Sequence, residues 1–266
     1  MTAGNVLVCV KRVPDSSSEV VLTEDAQAVD GRFAGFTMSP HEECAVELAV
    51  QVAAATGGEV AVLTLGDADA VEQLRSALAV GATAATLIQA GEGGPSTFGP
   101  ADVAREIAAV VRAHEAEGTS HDLVLLGNDA ADSGDFQVGI RLAYELGRPV
   151  VNGAKVVSVA DAPDGPRVTA RVEGPDGVET DEVPLPAVVT IREGGVEPRY
   201  PSVPGRMKAK KVVIDERELS GEPVGAGRVA YTLPPPVSSD VQVLGEGAAA
   251  APAVVDLFER IGVISK

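Results

Sequence analysis

Aromatic residues are scarce in this chain: they make up 3% of 266 residues, and Trp is absent. A core must therefore close by interlocking Val, Ala and Leu, not by stacking rings. At this length the chain can bury one large α/β domain, or one and a half. Cationic charge is short as well. Lys plus Arg number 21 against 39 Asp plus Glu, for a formal net charge of -18. Nucleic acid is then a poor partner, because phosphate binding draws on cation-driven counterion release. Cys9 and Cys44 are the only cysteines, each inside an apolar run. They read as small buried hydrophobes of a reducing cytoplasm, not as a disulfide or metal pair. His41, His114 and His121 are widely spread, which disfavours a zinc site or a histidine triad, so no metal is expected. No apolar run reaches the roughly 18–20 residues of a spanning helix. A strand pattern starts close to Met1, leaving no room for a signal or transit peptide. A cytoplasmic protein, not embedded in a membrane, is the expectation.

What is present is alternation. From residue 5 to about 150, short apolar runs exchange with amphipathic stretches, the pattern of a mostly parallel, doubly wound sheet. Strands are expected at Asn5–Val10, Glu59–Leu65, Thr83–Gln89 and Asp122–Leu126. Ser39, Pro40 and Glu42 carry the signals of a capped helix start, and Cys44, Leu48, Val52 and Ala55 give that helix one packed face. Asp69 with Glu72 repeats the capping spacing before a helix over Ala70–Val80. Further helices are expected over Ala101–His114 and from about Phe136 to just before Pro149. The pattern then changes. Turns at Pro163-Asp164-Gly165 and Pro175-Asp176-Gly177 separate β-rich runs at 154–160, 167–173 and 178–191, an added meander. The domain is expected to close near 221. Residues 222–266 read as Gly/Pro/Ser-rich chain, including Pro234-Pro235-Pro236, that ends in a short helix with Val254, Val255, Phe258 and Ile261 on one face. Such a helix needs a surface, so this segment reads as an arm for a partner subunit or as a disordered tail.

Ligands of open α/β sheets bind beyond the carboxyl ends of strands, at loops that open helices. Gly127-Asn128-Asp129-Ala130-Ala131-Asp132-Ser133-Gly134-Asp135-Phe136-Gln137-Val138-Gly139 is such a loop. Its small residues free backbone N–H groups for a phosphate, while its three aspartates oppose one. Neither GxxxxGK[ST] nor a strand-linked GxGxxG occurs, and no nucleophile–base pair is evident, so catalysis by side chains is not expected. A second segment is long, irregular and cationic on an acidic chain: Pro186-Ala187-Val188-Val189-Thr190, then Glu197-Pro198-Arg199-Tyr200, then Met207-Lys208-Ala209-Lys210-Lys211. An exposed recognition element looks like this.

These residues also resemble a known family. The 186–211 segment resembles the signature of the electron transfer flavoprotein beta subunit. Val6-Leu7-Val8-Cys9-Val10-Lys11-Arg12-Val13 is similar to that family's opening strand, Met38-Ser39-Pro40 with Glu43 to its Met-Asn-Pro segment, and Thr64-Leu65-Gly66 with Ser76–Ala82 to its second strand and helix. The resemblance implies a Rossmann-like fold of the adenine nucleotide alpha hydrolase type and a heterodimer with a flavin-carrying alpha subunit. It implies no enzyme but an electron carrier, passing electrons from dehydrogenases such as those of fatty acid oxidation to a quinone oxidoreductase or other acceptor. AMP, or alternatively a second FAD, would sit in a pocket lined by Cys9, Ser39, Pro40, His41, Glu42, Leu65 and the loop Gly127–Val138. Partner docking would fall on Glu193, Gly194, Gly195, Val196, Glu197, Pro198, Arg199 and Tyr200.

Three departures stand out. Ser39 replaces the family's Asn; Phe136-Gln137-Val138 stands where AMP-holding members read Asn-Gln-Thr; and Gly195 occupies the position read as an apolar anchor, leaving Val196 for that role. The rival readings are a stand-alone nucleotide-binding regulator of the universal-stress type and an ATP-pyrophosphatase-type enzyme. The former gives the 186–211 segment no role. The latter lacks its Ser-Gly-Gly-x-Asp-Ser loop after the first strand.

Overall fold

A computed structural model describes residues 4–15, 17, 19–33, 35–227, 230–235 and 241–264. Two compact units divide the chain, Met1–Tyr231 and Thr232–Lys266. In the first, nine strands form one sheet: β1 (Val6–Cys9), β4 (Val60–Gly66), β5 (Ala84–Gln89), β6 (Leu123–Gly127), β7 (Val150–Ala162), β8 (Gly165–Gly174), β9 (Gly177–Pro184), β10 (Ala187–Ile191) and β11 (Ile214–Arg217). A separate two-stranded ribbon pairs β2 (Val13–Pro14) with β3 (Phe36–Thr37). Helices are α1 (Pro40–Thr56), α2 (Val71–Val80), α3 (Pro100–Ala116), α4 (Val138–Leu146) and α5 (Val203–Ala209). Strand order is β11-β5-β4-β1-β6-β10-β7-β8-β9, parallel from β11 to β7 and antiparallel beyond.

Alternation along each strand explains the two-layer cover. Val6, Val8, Val60, Val62, Leu123, Leu125, Ala187 and Val189 pack with α1 and α2 residues on one face. Leu7, Cys9, Leu63, Val124, Leu126 and Val188 pack with α3 and α4 residues on the other. Period two sorts neighbours onto opposite faces, and helices on both faces bury both sets. The expected doubly wound sheet with a β-meander is the observed architecture. Chain order runs from β1 outward through β4 and β5, then resumes at β6 on the far side of β1. The crevice at the carboxyl ends of β1 and β6 is thus the switch point at which such sheets hold ligands.

Several boundaries differ from expectation. The run 178–191 is two strands: β9 ends the meander, and β10, after Pro186, inserts between β6 and β7. A proline lacks the N–H a central ladder needs, so the pairing breaks there. The helix expected from Phe136 begins at Val138, because Phe136 has φ +54. No Asp69 cap forms; a short 3₁₀ turn over Ala68–Ala70 precedes α2 instead. Edge strand β11, after the lysine run, was not anticipated. The first unit also continues past residue 221: Val224 and Gly225 donate backbone N–H groups to Asp102, and Tyr231 N–H to Ala26 C=O.

The second unit holds a 3₁₀ turn at Gly247–Ala250 and helix α6 (Ala251–Arg260), in which Val255 and Phe258 are exposed, as is Ile261 just beyond it. Pro234 and Pro235 have no regular structure, while Pro236 lies outside the described residues.

Candidate functional site at the carboxyl ends of β1 and β6

Three segments meet beyond β1 and β6: the turn after β1, the start of α1 and the loop 127–137. Ser39 precedes α1, and the Glu42 carboxylate reaches back to its N–H at 3.0 Å and its hydroxyl at 3.1 Å. The Ser39 hydroxyl also lies 3.4 Å from the Asp129 carbonyl, tying α1 to the loop. Gly127 permits this approach, since a Cβ there would stand 2.7 Å from Glu42 Cγ. Lys11, one residue after Val10, donates from Nζ to Asp132 Oδ1 at 2.7 Å. So Ser39, Glu42, Gly127, Asp129 and Asp132 are brought together, and Lys11 joins them. Sequence similarity places Lys11 only in the opening strand; its position as the first cation past the end of β1 is the signal that could find it.

Electrostatics in this corner are unusual. Glu42 is 5% exposed, and burial pushes its carboxyl up to about 8, against the opposing pull of Ser39 and Lys11. It is therefore largely neutral at pH 7, which removes one anion from a crowded acidic loop. Desolvation also raises Asp129, with Asp132 and Asp135 adding to it and His41 opposing. Burial pushes the Cys9 thiol up, and its side chain belongs to the core cluster under α3 and α4. A nucleotide can thus use Cys9 only through its backbone at the strand end.

The remaining expected residues divide. Asn128 is turned inward: its N–H bonds Ile191 C=O at 2.8 Å, and its Oδ1 lies 2.6 Å from the Thr190 hydroxyl. Thr190 in turn accepts the Gly153 N–H at 2.8 Å and stands 2.9 Å from Asn152 Oδ1. Asn128 therefore fixes the loop's root to β10. A turn over 130–134 closes on the Ala130 carbonyl, with Gly134 at φ +61, while Ala131, Asp135 and Phe136 are exposed. Gln137 is exposed too and accepts from Arg141, and Leu65 is half-buried beside the core. Pro40 is exposed. His41 Nδ1 and Asp129 Oδ1 are buried with no hydrogen-bond partner among the described residues. Orphaned polar atoms beside a glycine-bearing loop suit a polar ligand. An adenine nucleotide fits this donor set.

The loop expected to dock a partner turns its expected anchor inward. Val196 packs against the core cluster of α1, and its carbonyl lies 3.5 Å from Cys44 Sγ. Gly195 lies on β7, where an added Cβ would meet the Lys155 carbonyl oxygen at 1.9 Å. Neither residue can present an apolar side chain outward. Arg199 chelates Glu47 of α1 through Nε at 2.6 Å and Nη2 at 2.7 Å, and that contact holds Glu47 below the ordinary range. Glu193, Gly194 and Glu197 are exposed and Pro198 is half-buried. The apolar side chains that face solvent come next: Tyr200 at 91%, Val203 at 76% and Met207 at 55% exposure. Arg206, Lys208, Lys210 and Lys211 are exposed beside them.

Among the described residues no helix is long and apolar enough to cross a membrane, and no group of three or more His, Cys, Asp or Glu is placed to hold a metal ion. Residues 32–221 match the profile of the electron transfer flavoprotein domain. The chain is 32% identical to an electron transfer flavoprotein subunit beta of Syntrophomonas wolfei over 91% of its length and 90% of that protein's. It is 33% identical to that of Bacillus subtilis, over 81% of this chain and 79% of the relative. An acryloyl-CoA reductase electron transfer subunit gamma of Anaerotignum propionicum is 32% identical, over 82% and 80% respectively.

Proposed function

This chain belongs to the electron transfer flavoprotein family as a beta subunit, and from that premise we propose that it is the nucleotide-holding and docking half of a heterodimer. Its partner is a flavin-carrying alpha subunit, its donors are dehydrogenases such as acyl-CoA dehydrogenases, and its acceptor is a membrane quinone oxidoreductase or an equivalent. Bound flavin supplies the one- and two-electron chemistry. The chain's own residues bind, orient and exclude water.

The observation that carries the nucleotide assignment is the pair of orphaned buried atoms, His41 Nδ1 and Asp129 Oδ1, beside the Ser39–Glu42 corner. Those groups, with backbone from Cys9 and the 129–135 turn, would hold the ligand. AMP is favoured over a second FAD. Docking falls on Tyr200, Val203 and Met207, with Arg206, Lys208, Lys210 and Lys211 steering the encounter. In the second unit, the apolar face of Val255, Phe258 and Ile261 is assigned to the alpha subunit.

Co-expression with a candidate alpha subunit tests this reading. Expected are a yellow heterodimer from a chain that is colourless alone, and one adenine nucleotide released by heat and identified by mass spectrometry. Two flavins per heterodimer would reject AMP, and no nucleotide at all would reject the pocket.

A further inference from the structure

Lys11 and Asp132 are 121 positions apart in sequence, yet their ion pair spans the crevice between neighbouring strands β1 and β6. The two side chains are 37% and 23% exposed, so solvent and solutes reach the pair. Neither residue contributes to a strand ladder, and the contact can change partners without opening the sheet. Arg12, the next cation in the chain, is engaged elsewhere: its guanidinium stacks 3.5 Å from the Phe36 ring centroid and faces Asp69 at 3.7 Å. On the same loop as Asp132, Asp129 presents its orphaned buried Oδ1, and His41 Nδ1 is orphaned beside it.

We propose that Lys11 is the cation that receives the phosphate of an adenine nucleotide in this crevice, with Asp132 as the internal anion that competes for it. The inference rests on the nucleotide reading above and adds a residue that determines phosphate recognition. One ammonium facing two anions divides its hydrogen bonds between them. A ligand phosphate must therefore draw Lys11 from Asp132 while lying near Asp129 and Asp135. Removing the competitor strengthens phosphate binding, removing the cation weakens it, and the nucleoside moiety is indifferent to both. The same trade applies to the pyrophosphate of FAD, so the ligand classes share one chemistry.

Competitive binding of AMP, adenosine and FAD to the purified heterodimer reads this directly, as the ratio of AMP to adenosine affinity. Lys11→Met should lower that ratio about tenfold or more, the scale of a lost charge-assisted hydrogen bond. Lys11→Arg should restore most of it, and Lys11→Met should flatten the salt dependence of AMP binding. Asp132→Asn, which keeps the side-chain shape, should raise the ratio by about threefold or more, and it decides the matter if Lys11→Met does not fold. FAD following AMP across the variants supports the shared site, and the tighter of the two in the parent protein identifies the source. An unchanged ratio in Asp132→Asn and Lys11→Met, or an equal loss for adenosine and AMP, overturns the inference alone. Failure of the parent to bind adenosine, AMP or FAD overturns the nucleotide reading and this inference with it.

Discussion

Asp102 is the side chain whose removal should cost the first unit most for the fewest atoms. It opens α3, is 1% exposed, and accepts four donors: the N–H groups of Gly99 at 3.0 Å, Val224 at 2.9 Å and Gly225 at 2.8 Å, and Arg105 Nη1 at 2.9 Å. One turn on, Glu106 is equally buried and accepts the Ser220 N–H at 2.6 Å and hydroxyl at 3.0 Å. Two carboxylates thus hold the irregular strap 220–225 against α3. Burial alone would raise Asp102, but the three backbone N–H groups and Arg105 outweigh it and hold the carboxyl at about 2. A depressed folded value means this stabilisation is complete above the unfolded value near 3.8 and is lost as pH falls toward 2. The difference amounts to about 2 kcal/mol.

Asp102→Ala removes that gain and also leaves three N–H groups without an acceptor, so a loss of about 3 kcal/mol is expected at neutral pH. For a unit of this size such a loss lowers the melting temperature by roughly 6–12 °C. Asp102→Asn, which keeps one carbonyl oxygen, should fall between the two. Thermal and urea unfolding measure the global effect, and limited proteolysis with peptide mapping should show new cleavage between 218 and 231. Asp102→Ala melting within about 2 °C of the parent, with the strap equally resistant, would refute the reasoning.

Three further outcomes follow from the geometry. Gly195→Ala should destabilise by about 1–3 kcal/mol, because its Cβ meets backbone atoms of Lys155 that cannot rotate away; thermal unfolding checks this, and a neutral result removes the close approach. On the docking proposal above, Val203→Asp should slow electron delivery from a dehydrogenase donor while flavin content and heterodimer stability stay constant, and a parental stopped-flow rate would locate docking elsewhere. Burial, then His114 at 3.0 Å and Arg148, depress His121 to about 4; the folded chain keeps it neutral while the unfolded chain takes up a proton below 6.5. Stability should therefore fall by about 3 kcal/mol between pH 6.5 and 4, and His121→Gln should flatten urea midpoints over that range.

The sheet was legible because its information is local. Val6 and Val8 against Leu7 and Cys9 already sort two faces within four residues, and the same alternation recurs in β4 and β6. Glycines and prolines likewise marked the meander turns. What stayed hidden depends on approach between distant segments. Lys11 carries no sign of Asp132, nor Thr190 of Asn128 and Asn152. β11 reads as polar sequence after a lysine run, and it forms because β5 offers an open edge. The strap 220–225 has no pattern of its own, so it is its contacts with α3, the Asp102 and Glu106 carboxylates foremost, that reveal it belongs to the first unit.

The segment after β10 shows how such distant contacts redirect a local reading. From the sequence, an apolar residue after a Gly-Gly pair looks like the exposed tip of a loop. In the fold, Gly194 at φ +82 turns the chain inward, Gly195 takes the close approach to β7, and Val196 fills a gap over α1. Arg199 then clamps the descending chain to Glu47, which is 5% exposed. Beyond that clamp, Ser202 caps α5 by accepting the Gly205 N–H at 3.1 Å, and Arg75 of α2 bonds the carbonyls of Ala209 and Val212 at its other end. A seven-residue helix would not hold alone, yet here both ends are tied and Gly205 lies against the Ala79 carbonyl. These ties set the place from which Tyr200, Val203 and Met207 face solvent. In the docking role proposed for them, a backbone already tied at both ends has little conformational freedom left to lose, which lets a small, transient contact be specific.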